Sequence, residues 1–184
     1  MSGPAAGPRR LNLGCGRDTR PGWVNLDRAA LPGVDVVHDL ERLPLPFADA
    51  SFDEILAKDV LEHVDYIPLL SELWRVLRPG GRLDIQVPHF TSVDNYVDPT
   101  HRNRFSVRTF EFFVADSTHA RDYYFDFQFS RIVDRRLTFP GWPLVYNRAV
   151  APLVNIGDRT RKYYELTFLS RLFPASNLIL TLIR

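Results

Sequence analysis

The stretch Leu11-Asn12-Leu13-Gly14-Cys15-Gly16, followed by Val24-Asn25-Leu26-Asp27, decides the fold of this chain. Each part has the composition of a short strand. The first ends in a Gly-x-Gly turn and the second ends in a single carboxylate. Glycine at such a turn lets the backbone approach a ligand closely, because no Cβ intervenes. A carboxylate at the end of the neighbouring strand suits the two hydroxyls of a ribose. The stretch therefore predicts a nucleoside-binding edge of a parallel sheet.

Further runs of apolar residues along the chain have the length and composition of strands. The early runs are apolar on both faces, which is typical of a parallel sheet covered by helices. Between two of them, apolar residues at helical spacing predict a helix from about Val60 to Leu77, stopped by Pro79-Gly80-Gly81. The predicted strands are Arg10–Leu13, Trp23–Leu26, Val34–Val37, Phe52–Ala57, Arg82–Val87, Phe129–Leu137 and Asn177–Ile183.

The second half of the chain has weaker periodicity. His89 to Phe127 is rich in aromatic residues, histidine and arginine, and a helix is predicted within it from Val107 to Val114. Leu144 to Leu172 predicts one or two helices interrupted by Pro152 and Gly157, because proline and glycine both break helices. No repeat or domain linker is visible, so residues 9–184 are predicted to form one domain.

The connection between the first two strands is unusually short. Only Arg17 to Gly22 separate them, whereas parallel strands are usually joined by a dozen residues or more. The helix that normally follows a Gly-x-Gly turn is therefore reduced to a turn or two. Since the pyrophosphate of a dinucleotide rests on the N-terminus of that helix, a cofactor without phosphates is favoured.

Composition narrows the class of protein. The chain has 184 residues, a net charge of +1 and one cysteine. Because the net charge is close to zero, no strong electrostatic field attracts the chain to nucleic acid. Because it has a single cysteine, a disulfide within the chain is excluded. Residues 1–8 are predicted to be a short disordered lead, and no apolar run has the length of a membrane helix. A cytoplasmic protein with no nucleic-acid partner and no stable membrane insertion is expected, and its oligomeric state stays open.

Taken together, these motifs resemble those of the class I S-adenosylmethionine-dependent methyltransferases, in the small family often called methyltransferase type 11. The resemblance implies an α/β fold with a Rossmann-like seven-stranded mixed sheet of order 3-2-1-4-5-7-6, in which strand 7 is antiparallel. It also implies S-adenosylmethionine as the cofactor. The pieces that carry it occur in this order: Leu13-Gly14-Cys15-Gly16, Asp27, Asp39-Leu40, Leu43-Pro44, Ser51-Phe52-Asp53, Leu61-Glu62-His63 and Leu77-Arg78-Pro79-Gly80-Gly81.

The shortened first crossover departs from the family pattern, as does the lack of a helical lid before Leu11. We therefore expect the segment 89–127 to act as the lid and as part of the acceptor site. By resemblance, Asp27 binds the ribose and Asp39 the adenine amino group, although Asp39 could instead cap a helix. For Asp59, capping the following helix is an equally good interpretation. The predicted cofactor-binding residues are Gly14, Cys15, Gly16, Asp27, Asp39, Leu40 and Asp59.

Methyl transfer to a hydroxyl or an ammonium requires a base. His101 is the first candidate, because Asp98 lies three residues before it and could orient the ring. His89 is the second, because it follows the fifth strand at the ligand-binding edge. A structural role is an equally good interpretation for either histidine taken singly. The five histidines lack metal-ligand spacing and the chain has no cysteine pair, so no metal site is predicted. The remaining three, His38, His63 and His119, are expected to be structural.

The predicted acceptor is a small molecule. Arg102, Arg104 and Arg108 could clamp an acidic acceptor, but a solvated face is the favoured interpretation. The aromatic residues between Tyr96 and Phe127 could line a pocket for a planar acceptor or belong to the core.

Three other functions remain open from the sequence. They are a catalytically silent partner-binding module, a nicotinamide oxidoreductase, and a membrane-surface enzyme docking through Leu144–Leu172. The oxidoreductase is disfavoured because the turn lacks the third glycine of the dinucleotide-binding pattern Gly-x-Gly-x-x-Gly, and because the first crossover is short.

Overall fold

A seven-stranded mixed sheet forms the centre of the molecule. The computed structural model describes residues 7–117, 119, 123–142 and 144–184. The predicted lead falls almost entirely on residues 1–6, which lie outside the described residues. In chain order the strands are β1 Arg10–Leu13, β2 Val24–Asp27, β3 Val36–Val37, β4 Phe52–Lys58, β5 Leu77–Pro88, β6 Arg131–Leu137 and β7 Asn177–Ile183.

The strand order is β3-β2-β1-β4-β5-β7-β6. The first five strands run parallel, and β7 is antiparallel to both of its neighbours, β5 and β6. This confirms the predicted architecture. No helix is described between β1 and β2, where the chain makes only turns, so the shortened crossover is confirmed as well. The carboxyl ends of β1, β2, β4 and β5 therefore meet at one edge of the sheet, where open α/β sheets bind ligands.

The helices lie between β4 and β5 and in the second half of the chain. Helix α1 buries Leu69, Leu70, Leu73 and Val76 against the sheet, at the spacing of one helix face. A 3-10 helix covers Thr109–Phe113. The α-helices are α1 Tyr66–Val76, α2 Asp94–Val97, α3 Asn147–Val154, α4 Asp158–Leu166 and α5 Leu169–Leu172. None of the described helices combines the length and apolar composition that crossing a bilayer takes.

The predicted start of α1 was wrong by six residues. The chain between Val60 and Asp65 forms turns, because its carbonyl groups are bonded to another segment. The Glu62 carbonyl accepts from the backbone N–H of Arg102 at 2.8 Å. The side-chain amide of Asn103 donates to the carbonyls of Leu61 and Val64. These carbonyls are thus held by residues far away in the sequence.

The helix predicted for 107–114 is a shorter 3-10 helix, Thr109–Phe113. Helix α1 ends at Val76, within one residue of the predicted end, because Leu77 already pairs with Phe52 in the sheet. The predicted break at Gly157 is confirmed, since Gly157 precedes α4. The break predicted at Pro152 was wrong, because Pro152 lies inside α3.

Candidate functional site

The Gly-x-Gly turn leaves β1 at the carboxyl edge of the sheet. Gly14 and Gly16 have positive φ angles of 59° and 49°, which glycine adopts without strain. A Cβ on Gly14 would lie 2.6 Å from Cγ2 of Val60, a buried side chain, whereas a Cβ on Gly16 would meet nothing within 4 Å. Gly14 is therefore required by packing as well as by the turn, and the space above Gly16 stays open.

Asp27 ends β2 and is fixed by two backbone groups. Its Oδ2 accepts from the N–H of Gly16 at 2.8 Å, and its Oδ1 accepts from the N–H of Ala29 at 2.9 Å. A hydrogen-bonded carboxylate keeps further lone pairs for a ligand. Asp27 thus closes the turn below it and presents a preorganised acceptor to the crevice.

A crevice of about 300 Å³ opens above these residues. Asp39 is fixed in its own turn, since its Oδ1 accepts from the N–H of Glu41 at 3.1 Å. Leu40 is buried beside it. Asp59 follows β4 with a φ of 55°, and its carboxylate accepts from the Gln86 amide at 3.2 and 3.3 Å. The residues that line this cofactor crevice include Gly14, Asp27, Arg28, Asp39, Leu40, Glu41, Asp59, Val60, His63, Val64 and Thr100.

The capping role considered for Asp59 is wrong. Helix α1 begins at Tyr66, and its N-cap is Asp65, which makes no side-chain capping bond. Asp59 instead lies at the carboxyl end of β4, on the wall of the crevice.

Cys15 faces the protein and not the crevice. Its backbone N–H donates to the Leu26 carbonyl at 3.0 Å, so that group is already used by the sheet. The side chain is buried, and burial together with the charge of Asp27 raises the pKa of the thiol. A thiol with a raised pKa is a poor nucleophile at neutral pH. Its role is to fill the turn.

This crevice fits the adenosyl part of S-adenosylmethionine. A carboxylate stands at the end of β2 for a diol, and a second carboxylate with a buried leucine follows β3 for a purine edge and face. The short crossover supplies no helix N-terminus at which a pyrophosphate could bind. The residues present therefore match a nucleoside without phosphates.

A second crevice of about 350 Å³ adjoins the first, and Asp59 and His63 line both. Its wall is assembled by Arg102 and Asn103, which bond to the carbonyls of residues 61–64. Four carboxyl groups and two imidazoles face it, and no lysine or arginine lines it within the described residues. The full lining is Asp59, Glu62, His63, Pro88, Asp94, Val97, Asp98, His101 and Asn177. We call this the acceptor crevice.

His101 lies on the wall of the acceptor crevice. Its side chain is 7% exposed, and its Nε2 is 3.7 Å from Oδ2 of Asp98. The ring contacts that of His63 edge to face, with centroids 4.6 Å apart. Its Nδ1 is buried and has no hydrogen-bond partner among the described residues.

Glu62 is the most unusual group of the acceptor crevice. The residue is 1% exposed, and neither carboxyl oxygen has a hydrogen-bond partner in the described part of the chain. Burial raises the pKa of Glu62 to about 8, and the charges of Asp59 and Asp98 add to this effect. A buried polar group without partners is costly, so this arrangement calls for a ligand.

The second candidate base, His89, lies outside the crevice. It is fully buried, its Nε2 bonds to Oε1 of Glu165 at 2.9 Å, and its Nδ1 bonds to Oγ1 of Thr91 at 2.7 Å. Because both ring nitrogens are occupied by the protein, His89 anchors α4 to the end of β5. Its geometry supports the structural interpretation.

The three arginines are bonded within the protein instead of forming an anion clamp. Arg102 ties the segment to the rest of the chain, whereas the contacts that Arg104 and Arg108 make with Asn95 and Glu111 lie within the segment. Arg102 pairs with Glu41 at 2.5 Å, and Arg104 donates to the Asn95 carbonyl at 2.9 Å. Arg108 is 3.7 Å from Glu111. The aromatic residues of the segment do not line the acceptor crevice either; Phe105, Phe110, Phe113 and Phe127 are core, while Tyr96, Tyr123 and Tyr124 are exposed.

Sequence reasoning missed Glu62, His63 and Asn103 as parts of the site. The signal was present for the first two, since Leu61-Glu62-His63 is one of the motif pieces, but His63 was expected to be structural. Nothing in the sequence linked this motif to His101.

Comparison with known proteins supports the resemblance to S-adenosylmethionine-dependent methyltransferases. Residues 8–85, somewhat less than half of the chain, match a family described as a methyltransferase domain. A probable S-adenosylmethionine-dependent methyltransferase of Mycolicibacterium smegmatis is 45% identical over 64 residues, which cover 34% of this chain and 24% of that protein. The chain thus aligns with about a quarter of the length of that relative.

Solved structures show the fold over nearly the whole chain. A SAM-dependent methyltransferase from Archaeoglobus fulgidus has a TM-score of 0.58 at 18% identity, covering 97% of this chain and 87% of that one. A phosphoethanolamine N-methyltransferase of Haemonchus contortus in complex with S-adenosyl-L-methionine has a TM-score of 0.58 at 17% identity, covering 97% and 49%.

Proposed function

We propose that this chain, which has the fold of S-adenosylmethionine-dependent methyltransferases and matches a methyltransferase domain over residues 8–85, methylates a small-molecule acceptor. The observation that carries the proposal is the meeting of two crevices at Asp59 and His63. One crevice fits the cofactor, and the other has a volume of about 350 Å³, which is within the usual range for small ligands.

Bound S-adenosylmethionine supplies a methyl group on a positively charged sulfur. The task of the protein is to hold the acceptor in line with that methyl group at near-contact distance. Asp27 and Asp39 fix the adenosyl end, because their own carboxylates are held by backbone N–H groups. Asp59 stands where the two crevices join, so the reacting atoms are expected to meet beside it.

The acceptor must lose a proton if it is a hydroxyl or an ammonium. Within the described residues, His63 and His101 are the two imidazoles that line the acceptor crevice. A direct base role for His101 stays a prediction, supported by its place on the wall and by the neighbouring Asp98 carboxylate. We do not propose the same role for His89, whose two ring nitrogens are both bonded within the protein.

Methyl transfer can be tested without knowing the acceptor. The chain is incubated with S-adenosylmethionine carrying a radioactive methyl group and with a metabolite extract freed of protein and nucleic acid. We expect label in a small-molecule product, and its loss in an Asp27→Ala variant. Label that appears only after protein or nucleic acid is added would contradict a small-molecule acceptor. Absence of transfer to any fraction, despite cofactor binding, would favour a catalytically silent module.

A further inference from the structure

The acceptor crevice contains a carboxyl group that the protein itself does not satisfy. Glu62 is 1% exposed with both oxygens unpartnered among the described residues. No lysine or arginine of the described chain lines the crevice to balance it. Buried carboxylates in proteins are normally paired with a cation or bound to a metal. A cation from outside the chain would give the carboxylate form of Glu62 the partner that the described residues do not supply.

Two imidazoles complete a set of donors around Glu62. Three ligand atoms lie within 4.8 Å of one another: a carboxylate oxygen of Glu62 and one ring nitrogen each of His63 and His101. Ligand atoms around a tetrahedral Zn²⁺ are about 3.3 Å apart, so the three side chains would have to rotate inward to bind one ion. The Nδ1 atom of His101 is buried and unpartnered within the described residues, which leaves it for a ligand.

The arrangement around His63 supports a ligand as well. Its Nδ1 bonds to Oγ1 of Thr100 at 2.8 Å, and that hydroxyl donates to Oδ1 of Asp98 at 2.6 Å. Metal-binding histidines characteristically use one ring nitrogen for the metal and have the other held by a neighbouring polar group. His63 is held in this way, with its Nε2 left for an ion.

We propose that Glu62, His63 and His101 bind a divalent transition-metal ion, for which Zn²⁺ is the best match. Two imidazole nitrogens and one carboxylate oxygen suit Zn²⁺ better than Mg²⁺ or Ca²⁺, which prefer oxygen ligands alone. Three protein ligands leave the fourth tetrahedral position open toward the crevice, as in catalytic zinc sites.

This site departs from the sequence-based expectation of no metal. That expectation rested on spacing along the chain, and spacing cannot reveal His63 and His101 together. They meet because Arg102 and Asn103 bond to the carbonyls of residues 61–64. The same hydrogen bonds that delay the start of α1 therefore build the cluster.

If the chain is a methyltransferase as proposed, the ion would change the role of His101 from a general base to a metal ligand. At the open position, Zn²⁺ would lower the pKa of an acceptor hydroxyl, which could then lose its proton to solvent. That oxygen would form the new C–O bond as the C–S bond breaks, with the electron pair of the broken bond staying on the neutral thioether. With the ion bound, His101 would act as a ligand, and a separate base would not be needed.

Metal binding is tested by calorimetric titration of ZnCl₂ into the chain after treatment with EDTA. We expect about one equivalent to bind to the native chain, with affinity reduced at least tenfold by Glu62→Gln and by His101→Ala. Thr100→Val should weaken binding about tenfold, because it frees the held nitrogen of His63. The matched control is His38→Ala, a histidine outside the cluster, which should leave binding unchanged. Circular dichroism checks that each variant is folded.

Failure of this proposal can be told apart from failure of the methyltransferase function. No uptake of Zn²⁺, or equal uptake by the native chain and the Glu62→Gln and His101→Ala variants, would overturn the metal site. Methyl transfer that persists unchanged after EDTA would remove the catalytic role of the ion and leave the proposed function intact. A specific zinc site in a chain that transfers no methyl group would support the metal site and contradict the proposed methyltransferase function.

Discussion

The cofactor crevice and the acceptor crevice share the residues Asp59 and His63 but differ in how their polar side chains are hydrogen-bonded. In the first, Asp27 accepts from the backbone N–H groups of Gly16 and Ala29, and Asp39 accepts from that of Glu41. In the second, Glu62 and His101 keep buried polar atoms without partners among the described residues. The carboxylates of the first crevice are preorganised by the chain itself, whereas we propose that a bound ion completes the second. Substitutions in the two crevices should therefore have different consequences.

The largest effect is expected at Gly14, where turn and packing coincide. Gly14→Ala should lower the free energy of unfolding by about 2–5 kcal/mol, since overpacking adds to the left-handed backbone strain. Gly16→Ala, with open space around its Cβ, should cost only about 1–2 kcal/mol. Urea unfolding of both variants measures the difference. Adding Val60→Ala to Gly14→Ala should restore part of the loss; equal effects of the two single glycine changes would refute the packing argument.

Asp27 tests whether the cofactor crevice acts separately from its neighbour. Asp27→Ala should weaken binding of S-adenosylhomocysteine by about 1.5–3 kcal/mol, the cost of losing a hydrogen bond to a charged group. Isothermal titration gives this value directly. Asp98→Asn, in the acceptor crevice, is the matched control and should leave the affinity within about twofold. Equal losses from both changes would mean that the two crevices are not independent.

Asn103 tests how the acceptor crevice is assembled. Its side-chain amide donates to the carbonyls of Leu61 and Val64, and Asn103→Ala should destabilise the chain by about 1–2 kcal/mol. Zinc uptake should fall in the same variant, while the affinity for S-adenosylhomocysteine should be retained. Urea unfolding and the two titrations give the comparison. A loss of cofactor affinity with zinc uptake unchanged would show that Asn103 supports the cofactor crevice and not the acceptor crevice.

The smallest effect is expected at Asp39. Its side chain is 46% exposed and is bonded to the Glu41 N–H, so solvent can replace much of what it offers to a ligand. Asp39→Asn should weaken S-adenosylhomocysteine binding by about 0.5–1 kcal/mol, measured by the same titration. An effect larger than that of Asp27→Ala would mean that the adenine contact, and not the ribose contact, dominates.

The cofactor crevice could be predicted from the sequence because its determinants are local. Gly14, Gly16 and Asp27 end adjacent strands, and the strands themselves follow from short apolar runs. Asp39 and Leu40 follow β3 in the same manner. Their turns are closed by contacts within a few residues or across one strand pair, so the pattern along the chain already contains the geometry.

The acceptor crevice could not be predicted in this way. His101 was predicted to be a base oriented by Asp98, and it lies on the wall of the acceptor crevice near that carboxylate. Its neighbours His63 and Glu62 come from the turn before α1. That turn exists because Arg102 and Asn103 compete for its carbonyls, a contact between distant segments. His89 shows the converse, since its place after β5 suggested chemistry while Glu165 and Thr91 hold it in the interior.

The central claim is that the carboxyl edge of β1, β2 and β3 binds an adenosyl group that carries no phosphate. Calorimetric titration of the native chain with S-adenosylmethionine and, separately, with NAD tests it most directly. We expect one equivalent of S-adenosylmethionine to bind with an affinity on the order of micromolar, and NAD to give no measurable heat of binding. Binding of NAD alone, or of neither compound, would contradict it.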